Sequence, residues 1–238
     1  MLIEMFSYSF IIKALIVGIL IALCCSLLGV TLVLKRCSMI GDGLSHVGFG
    51  ALAVASVFNS APLAVALPIV IAAAFFLLNL SKSERLNGDS AIALVSTSSL
   101  ALGVIAISAF TKGNSELSAY LFGSILAVSD FDLYLSVILC VCVMLIFVFL
   151  YTRIFAVTFD ETFAFATGTN VSLYNSLIAV LTAVTVVLGM KMVGTLLISA
   201  LIIFPALTSM RIFKTFMGVT VSSQKEIPSF PLTFSEVF

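Results

Sequence analysis

An aspartate and a histidine four residues apart, Asp42 and His46, stand inside an otherwise apolar stretch, KRCSMIGDGLSHVGFGALAVAS at 35–56. His46 is the only histidine in the chain. On a continuous helix an i,i+4 pair shares one face. A carboxylate oxygen and an imidazole nitrogen both ligate first-row divalent ions, which suits zinc, manganese or ferrous iron. Two protein ligands are too few for a closed structural site. They make a weak site that shares its ion with water and releases it. A second reading stands beside the first: Asp42 caps the helix, with Ser45 at its third position, and His46 hydrogen-bonds to a neighbouring helix. Under either reading, an acid and an imidazole in an apolar segment are costly unless their surroundings compensate.

Four glycines, at 41, 43, 48 and 50, surround the pair. Gly43 and Gly50, together with Ser45, Ala51 and Ala55, give the helix small surfaces that neighbours can approach closely. That packing would seat the ionisable pair in a bundle interior and away from lipid.

The whole chain is built to supply such a bundle. Its 238 residues are 62% hydrophobic, 9% charged and formally neutral. A soluble domain is usually about a quarter charged, so this chain cannot coat a water-facing surface in the ordinary way. Several apolar runs reach the roughly 20 residues that a bilayer-spanning helix needs. The fold class is therefore an all-α polytopic membrane protein. Nucleic acid is excluded as a partner, because 11 Lys and Arg are scattered in ones and twos. The first apolar run lacks an A-x-A-like cleavage site and reads as a retained helix. Cys140-x-Cys142 places its side chains about 200° apart on a helix, poor geometry for chelation. Cys24, Cys25, Cys37, Cys140 and Cys142 read as small buried apolar residues.

Along the chain the spans are expected at 10–34, 42–58, 62–80, 90–110, 133–151, 171–190 and 193–212, about seven in all. The stretch 117–129 is too short to cross alone and reads as re-entrant or interfacial. A tight turn at Lys191-Met192 is expected between the last two spans. Lys35, Arg36, Lys82, Arg85, Arg153, Arg211 and Lys214 then share one side, and Lys112 and Lys191 the other. This asymmetry fits the positive-inside bias, placing 152–170 in the cytoplasm and the N-terminus outside. Lys13, at the outer end of the first span, can snorkel outward. Glu4, Glu116, Asp130 and Asp132 lie towards the outer face, as solvated loop charges or as attractors of a cation. Pro68 and Pro205 withhold an N–H from the carbonyls of Ala64 and Leu201, and kinks are expected there. Around Pro205, the hydroxyls of Ser199, Thr208 and Ser209 can satisfy freed carbonyls or line a path.

Enzyme constellations are missing. The sequence holds no H-E-x-x-H, no paired histidines, no Walker A loop and no Ser–His–Asp set with supporting context. Uphill transport by this chain would draw its energy from a partner or from an ion gradient.

Three segments together resemble the integral membrane permease family of ABC importers for zinc, manganese and iron. They are LLGVTLVLKRCSMIGDGLSHVGFGALAVA at 27–55, LFGSILAVSDFDL at 121–133 and KMVGTLLISALIIFPALTSMRI at 191–212. FDETFAFATG at 159–168 resembles the family's phenylalanine–aspartate segment, which ends in alanine and glycine. The resemblance implies a multi-helix permease homodimer in the bacterial cytoplasmic membrane. It implies two cytoplasmic ATPase subunits and an extracytoplasmic metal-binding protein that delivers the ion. It gives Asp42 and His46, with Ser45, to the metal pathway, and Asp160, Glu161 and Gly168 to the segment that docks on the ATPase. The metal ion is then a transported substrate, and no permanently bound cofactor is expected.

The likeness ends near residue 213, where family members usually continue with one or two more spans. Residues 214–238 read as a separate polar, proline-bearing tail, truncated or naturally short. Three other readings remain open at this point: a gradient-driven secondary metal carrier, a permease for metal chelates, and an inactive membrane scaffold.

Overall fold

The structure is a computed structural model that describes residues 9–58, 62–81, 88–110, 118, 121–123, 130–213 and 215–226. Among these residues the chain forms ten helices and no strand. They are α1 (Ser9–Leu34), α2 (Ser38–Val57), α3 (Pro62–Ser81), α4 (Gly88–Phe110) and α5 (Asp130–Phe149). After them come α6 (Tyr151–Phe159), α7 (Glu161–Ala166), α8 (Val171–Val193), α9 (Thr195–Ile212) and α10 (Phe216–Glu226). Seven of them, α1 to α5, α8 and α9, are long and apolar enough to cross a membrane. The chain is a multi-pass helical membrane protein.

Several boundaries differ from the sequence reading, each for a local reason. Helix α2 starts at Ser38, so Asp42 lies inside it and the capping role for Asp42 is wrong. The turn expected at Lys191-Met192 is absent: both residues continue α8, and the chain reverses at Gly194, whose φ is 92°. Only glycine adopts that backbone conformation without strain. The weakly apolar connection at 152–170 folds largely into α6 and α7. Part of the expected polar tail, Phe216–Glu226, is the helix α10, whose Phe216 and Val219 pack with Val30 and Ala206. Of the five cysteines, Cys24, Cys25 and Cys140 are buried as expected, but Cys37 is half-buried and Cys142 is exposed. Most of the 117–129 stretch lies outside the described residues, as do Glu4, Glu116, Lys82, Arg85, Lys112 and Lys214.

Helix α2 is the centre of the bundle. It packs against α3, α4, α8 and α9, while α1 closes the other side against α5, α8, α9 and α10. It is also the least hydropathic of the seven long helices and the most buried of them. In contrast α4 and α5 turn Leu94, Leu102, Ile105, Ile138 and Val148 outward, as lipid-facing helices do. Lipid tails are as apolar as leucine, so helices here gain from close packing and not from escaping water.

That packing depends on missing Cβ atoms. At Gly29 a Cβ would overlap the carbonyl oxygen of Ile202 on α9. At Gly50 it would stand 2.7 Å from Ser99 Oγ and 2.9 Å from the Ser99 carbonyl on α4. One turn on, a Cβ at Gly103 would be 3.0 Å from the Gly50 Cα, so α2 and α4 meet backbone to backbone. Gly43 lies against Ile92, and Gly48 against Met190 of α8. Helices α3 and α9 run on through Pro68 and Pro205.

Gly29→Ala should therefore lower stability by about 1–3 kcal/mol, the usual cost of overpacking. Gly18→Ala, on the same helix with nothing within 4 Å of the new methyl, should be neutral. Thermal unfolding of the detergent-solubilised protein checks both, and equal melting temperatures for the two variants would contradict this account of the α1–α9 contact.

Candidate functional site

Helix α2 carries Asp42 and His46 one turn apart, and its i,i+4 geometry brings His46 Nε2 to 3.7 Å from Asp42 Oδ1. That distance is too long for a hydrogen bond. The side chains are 37% and 19% exposed for Asp42 and His46, so neither is sealed in the bundle. The other imidazole nitrogen, His46 Nδ1, is buried with no hydrogen-bond partner, so His46 is not held by a neighbouring helix through it. Ser45 is fully buried, and its hydroxyl donates to the Asp42 carbonyl at 2.7 Å. It braces the helix backbone behind the pair. Gly43 and Gly50 lie on the side of α2 that meets α3 and α4, where they permit the contacts described above.

The pair has the spacing of a bidentate metal site with little rearrangement. Two ligand atoms each about 2.1 Å from a divalent ion stand roughly 3.0–3.4 Å apart. The 3.7 Å separation here closes to that range by a small side-chain rotation. Among the described residues no group of three or more His, Cys, Asp or Glu side chains converges on a common point. An ion held here would complete its shell with water or with groups from another molecule.

The pathway candidates on α9 do not join this pair through any described contact. Ser199 turns its hydroxyl to the Thr195 carbonyl at 3.2 Å and Thr208 to the Phe204 carbonyl at 2.9 Å, both on their own helix. Ser209 donates to the Pro205 carbonyl at 2.7 Å, and Pro205 itself is buried. None of these hydroxyls reaches the Leu201 carbonyl that Pro205 deprives of a partner.

The end of the bundle that carries Arg36, Arg153 and Arg211 also carries the acidic segment. Asp160 caps α7, accepting from the Thr162 hydroxyl at 2.6 Å and from the amides of Thr162 and Phe163. The Thr162 hydroxyl, with the Phe163 and Thr162 amides, holds the Asp160 carboxyl below its ordinary pKa. Glu161 points back to the bundle: its Oε1 is 3.0 Å from Lys35 Nζ and accepts from Asn175 Nδ2 at 3.0 Å. Gly168 ends the segment with φ 80° and open space around it. Phe159, Phe163 and Phe165 are 62–76% exposed and form an apolar knob at this end.

Two features at the opposite end escaped the sequence reading. Lys191 and Asp132 form a largely buried ion pair at 2.5 Å, each side chain 17% exposed. They are 59 residues apart, and no local spacing signals such a pair. Beside them the backbone of Gly123 lies against that of Met192, Val193 and Gly194, with positive φ at both glycines. A positive-φ pair at two loop glycines is visible only once the loops are folded.

Comparison with known proteins adds lineage to this geometry. The model of the ABC 3 transport family matches residues 7–225. The manganese import system permease protein ScaB of Streptococcus gordonii is 31% identical over 202 residues, covering 85% of this chain and 72% of the relative. The high-affinity zinc uptake system membrane protein ZnuB of Haemophilus influenzae is 27% identical over 208 residues, 87% of this chain and 80% of the relative. The structure of PsaBC from Streptococcus pneumoniae in complex with Fab superposes with a TM-score of 0.82 at 28% identity. That match covers 94% of this chain and 82% of the other.

Removing one member of a largely buried ion pair takes a compensating charge from the other. Lys191→Met should therefore destabilise the protein by about 3–5 kcal/mol, and adding Asp132→Asn should recover much of that loss. Thermal unfolding of the single and double variants measures the recovery; additive losses would show that the two charges do not interact. The Asp160 cap is expected to hold at neutral pH, above the ordinary carboxylate pKa, and to be lost as pH falls through its lowered value. Amide exchange at Thr162 and Phe163 should then accelerate beyond the intrinsic pH effect, and Asp160→Ala should show that faster exchange already at neutral pH.

Proposed function

The chain belongs to the ABC 3 transport family, and from that premise we propose that it is the membrane-spanning subunit of an ATP-driven importer of divalent transition-metal ions. Manganese and zinc are the favoured substrates, since the similar permeases ScaB and ZnuB are named for those ions. Ferrous iron shares the same ligand chemistry.

The observation that carries the proposal is the carboxylate–imidazole pair on α2. It sits on a buried, polar-bearing helix in the centre of a membrane bundle, where an ionisable pair is expensive unless it serves a path. Asp42 and His46 present one carboxylate oxygen and one imidazole nitrogen to a passing ion, and water supplies the remaining positions. A low ligand count favours release over storage. Ser45 keeps the α2 backbone in place behind the ligands. Ser199, Pro205 and Thr208 on α9 stand as a second, more distant part of the pathway or its gate.

The partial exposure of Asp42 supports a homodimer. A carboxylate within a span is costly where it faces lipid, and Asp42 stands in the second turn of α2. A second copy set against this face of α2 removes that contact and encloses the path. Cytoplasmic ATPase subunits dock at the end bearing α7, where Asp160, Glu161 and Gly168 shape the segment and Phe159, Phe163 and Phe165 are available for burial. ATP is hydrolysed by those partners. An extracytoplasmic metal-binding protein delivers the ion to the opposite end. The location that follows is the bacterial cytoplasmic membrane.

Reconstitution of the full chain with its ATPase and binding protein, followed by uptake of ⁵⁴Mn and ⁶⁵Zn, tests this function. Asp42→Ala and His46→Ala should each reduce ATP-dependent uptake at least about tenfold, since losing a ligand costs no less than losing its supporting shell. Both variants should assemble as the wild type does. Uptake unchanged in both variants would remove the pair from the pathway, and uptake that survives without the ATPase would overturn the ATP-driven mechanism.

A further inference from the structure

Three side chains from three separate elements meet at the end of the bundle that bears α7. Lys35 Nζ contacts both Glu161 Oε1, at 3.0 Å, and the side-chain oxygen of Asn175. Asn175 Nδ2 donates to the same Glu161 oxygen at 3.0 Å, which closes the triangle. Lys35 follows the last residue of α1, Glu161 is the first residue of α7, and Asn175 lies in the second turn of α8. Asn175 is 3% exposed and the Lys35 side chain 11%, whereas the Glu161 side chain is 47% exposed, so the network is shielded on the bundle side and open on the α7 side. Charged hydrogen bonds in such surroundings are stronger and more sharply directed than on an open surface.

The position of Lys35 in the chain gives this contact mechanical meaning. The next residue, Arg36, reverses the backbone with φ 57°. Arg36 N donates to the Val33 carbonyl, and Cys37 N donates to the Leu32 carbonyl at 2.9 Å. That pattern ends a helix tightly, and it uses a conformation that residues other than glycine seldom adopt. Helix α2 begins at Ser38, two residues beyond Arg36. It then runs unbroken through Asp42 and His46 to Val57. A displacement of the Lys35 side chain is thus passed through a short, hydrogen-bonded turn to the foot of the helix that holds both candidate ligands.

The other side of the contact is just as suggestive of load. In α7 only Ala164 is buried; the other residues are exposed, and of them Glu161 reaches back to Lys35 and Asn175. Glu161 is the only charged residue within α7. A cavity of about 470 Å³ lies between the α1–α2 turn, the end of α3 and the α6–α7 corner, lined by Arg36, Cys37, Ser81, Thr158 and Phe159 among others. Lys35, Glu161 and Asn175 also line this cavity, so the polar triangle joins the two parts beside open space.

We propose that Lys35 is a positioning residue that transmits motion of the α7 segment to α2, and so couples the state of the ATPase to the Asp42–His46 pair. This inference rests on the ATP-driven reading above, but not on which ion is moved. It differs from a simple stabilising clamp, because the pair then governs how far α2 follows α7 and not only whether the protein folds.

The test uses the full chain with its ATPase in nanodiscs, carrying an environment-sensitive bimane label at V54C in a Cys37→Ser, Cys142→Ser background, since these two thiols are not buried. Val54 is exposed on the far half of α2. Trapping the ATPase with ATP and vanadate should shift the bimane emission in the otherwise unaltered chain. Lys35→Met should abolish that shift while assembly and basal ATP hydrolysis persist, and ⁵⁴Mn moved per ATP should fall at least about fivefold. The exchanged pair Lys35→Glu with Glu161→Lys should restore the shift, because the Asn175 amide can bond either arrangement. A full shift in Lys35→Met overturns the proposal. So does an assembled exchange variant without the shift, or a loss of assembly that the exchange does not repair. If Lys35→Met fails to assemble and the exchange variant both assembles and shifts, the proposal stands. Absence of any shift in the unaltered chain overturns the ATPase coupling and this transmission with it, whereas a normal shift without metal uptake overturns only the metal reading.

Discussion

Everything in this bundle depends on how closely other backbones can approach α2. The helix that carries the ionisable pair is also the least hydropathic of the long helices, yet it is the one most enclosed. In lipid no hydrophobic force pulls such a helix inward, so dispersion contacts at short range must hold it. Glycines make that range accessible: Gly43 and Gly50 towards α3 and α4, Gly41 and Gly48 towards α9 and α8. On α1, Gly29 lets Ile202 of α9 come in beside the same core. Enclosure on these sides leaves Asp42 and His46 on a face that is neither sealed nor wholly open.

Two interhelical ion pairs lie at the two ends of the bundle. At one end Lys191 and Asp132 tie α8 to the start of α5, beside the stacked backbones of Gly123 and Gly194. At the other, Lys35, Glu161 and Asn175 tie the α1–α2 turn to α7 and α8. Between these ties many hydroxyls bond their own helix, as those of Thr182, Thr185, Ser199 and Ser209 do, whereas the buried Ser26 and Ser223 hydroxyls join α1 to α10 at 2.7 Å. Polar groups that satisfy themselves locally do not fasten one helix to another, whereas the end ties do.

The sequence by itself determined the class of the protein. Low charge and seven apolar runs admit no soluble alternative, because backbone groups in lipid must be satisfied within helices. It also singled out Asp42, His46 and the glycines around them, since an acid and the only histidine in an apolar stretch stand out against their neighbours. The family motifs singled out the segment at 159–168 in the same way. What the sequence misplaced were junctions. Lys191 reads as a loop residue because lysine is costly in a span, but Asp132 from a distant helix neutralises it and lets α8 continue to Val193. Asp42 reads as a cap because aspartate favours helix starts, but Cys37 takes the cap position and the helix begins a turn earlier. The α10 helix was illegible for a similar reason, as its apolar face becomes evident only against Val30, Ala206 and Tyr151. Hydropathy and spacing are local properties and are written in order along the chain. Charge pairing, backbone-to-backbone approach and the sharing of Lys35 between Glu161 and Asn175 join residues dozens to more than a hundred positions apart, so only the tertiary structure could decide them.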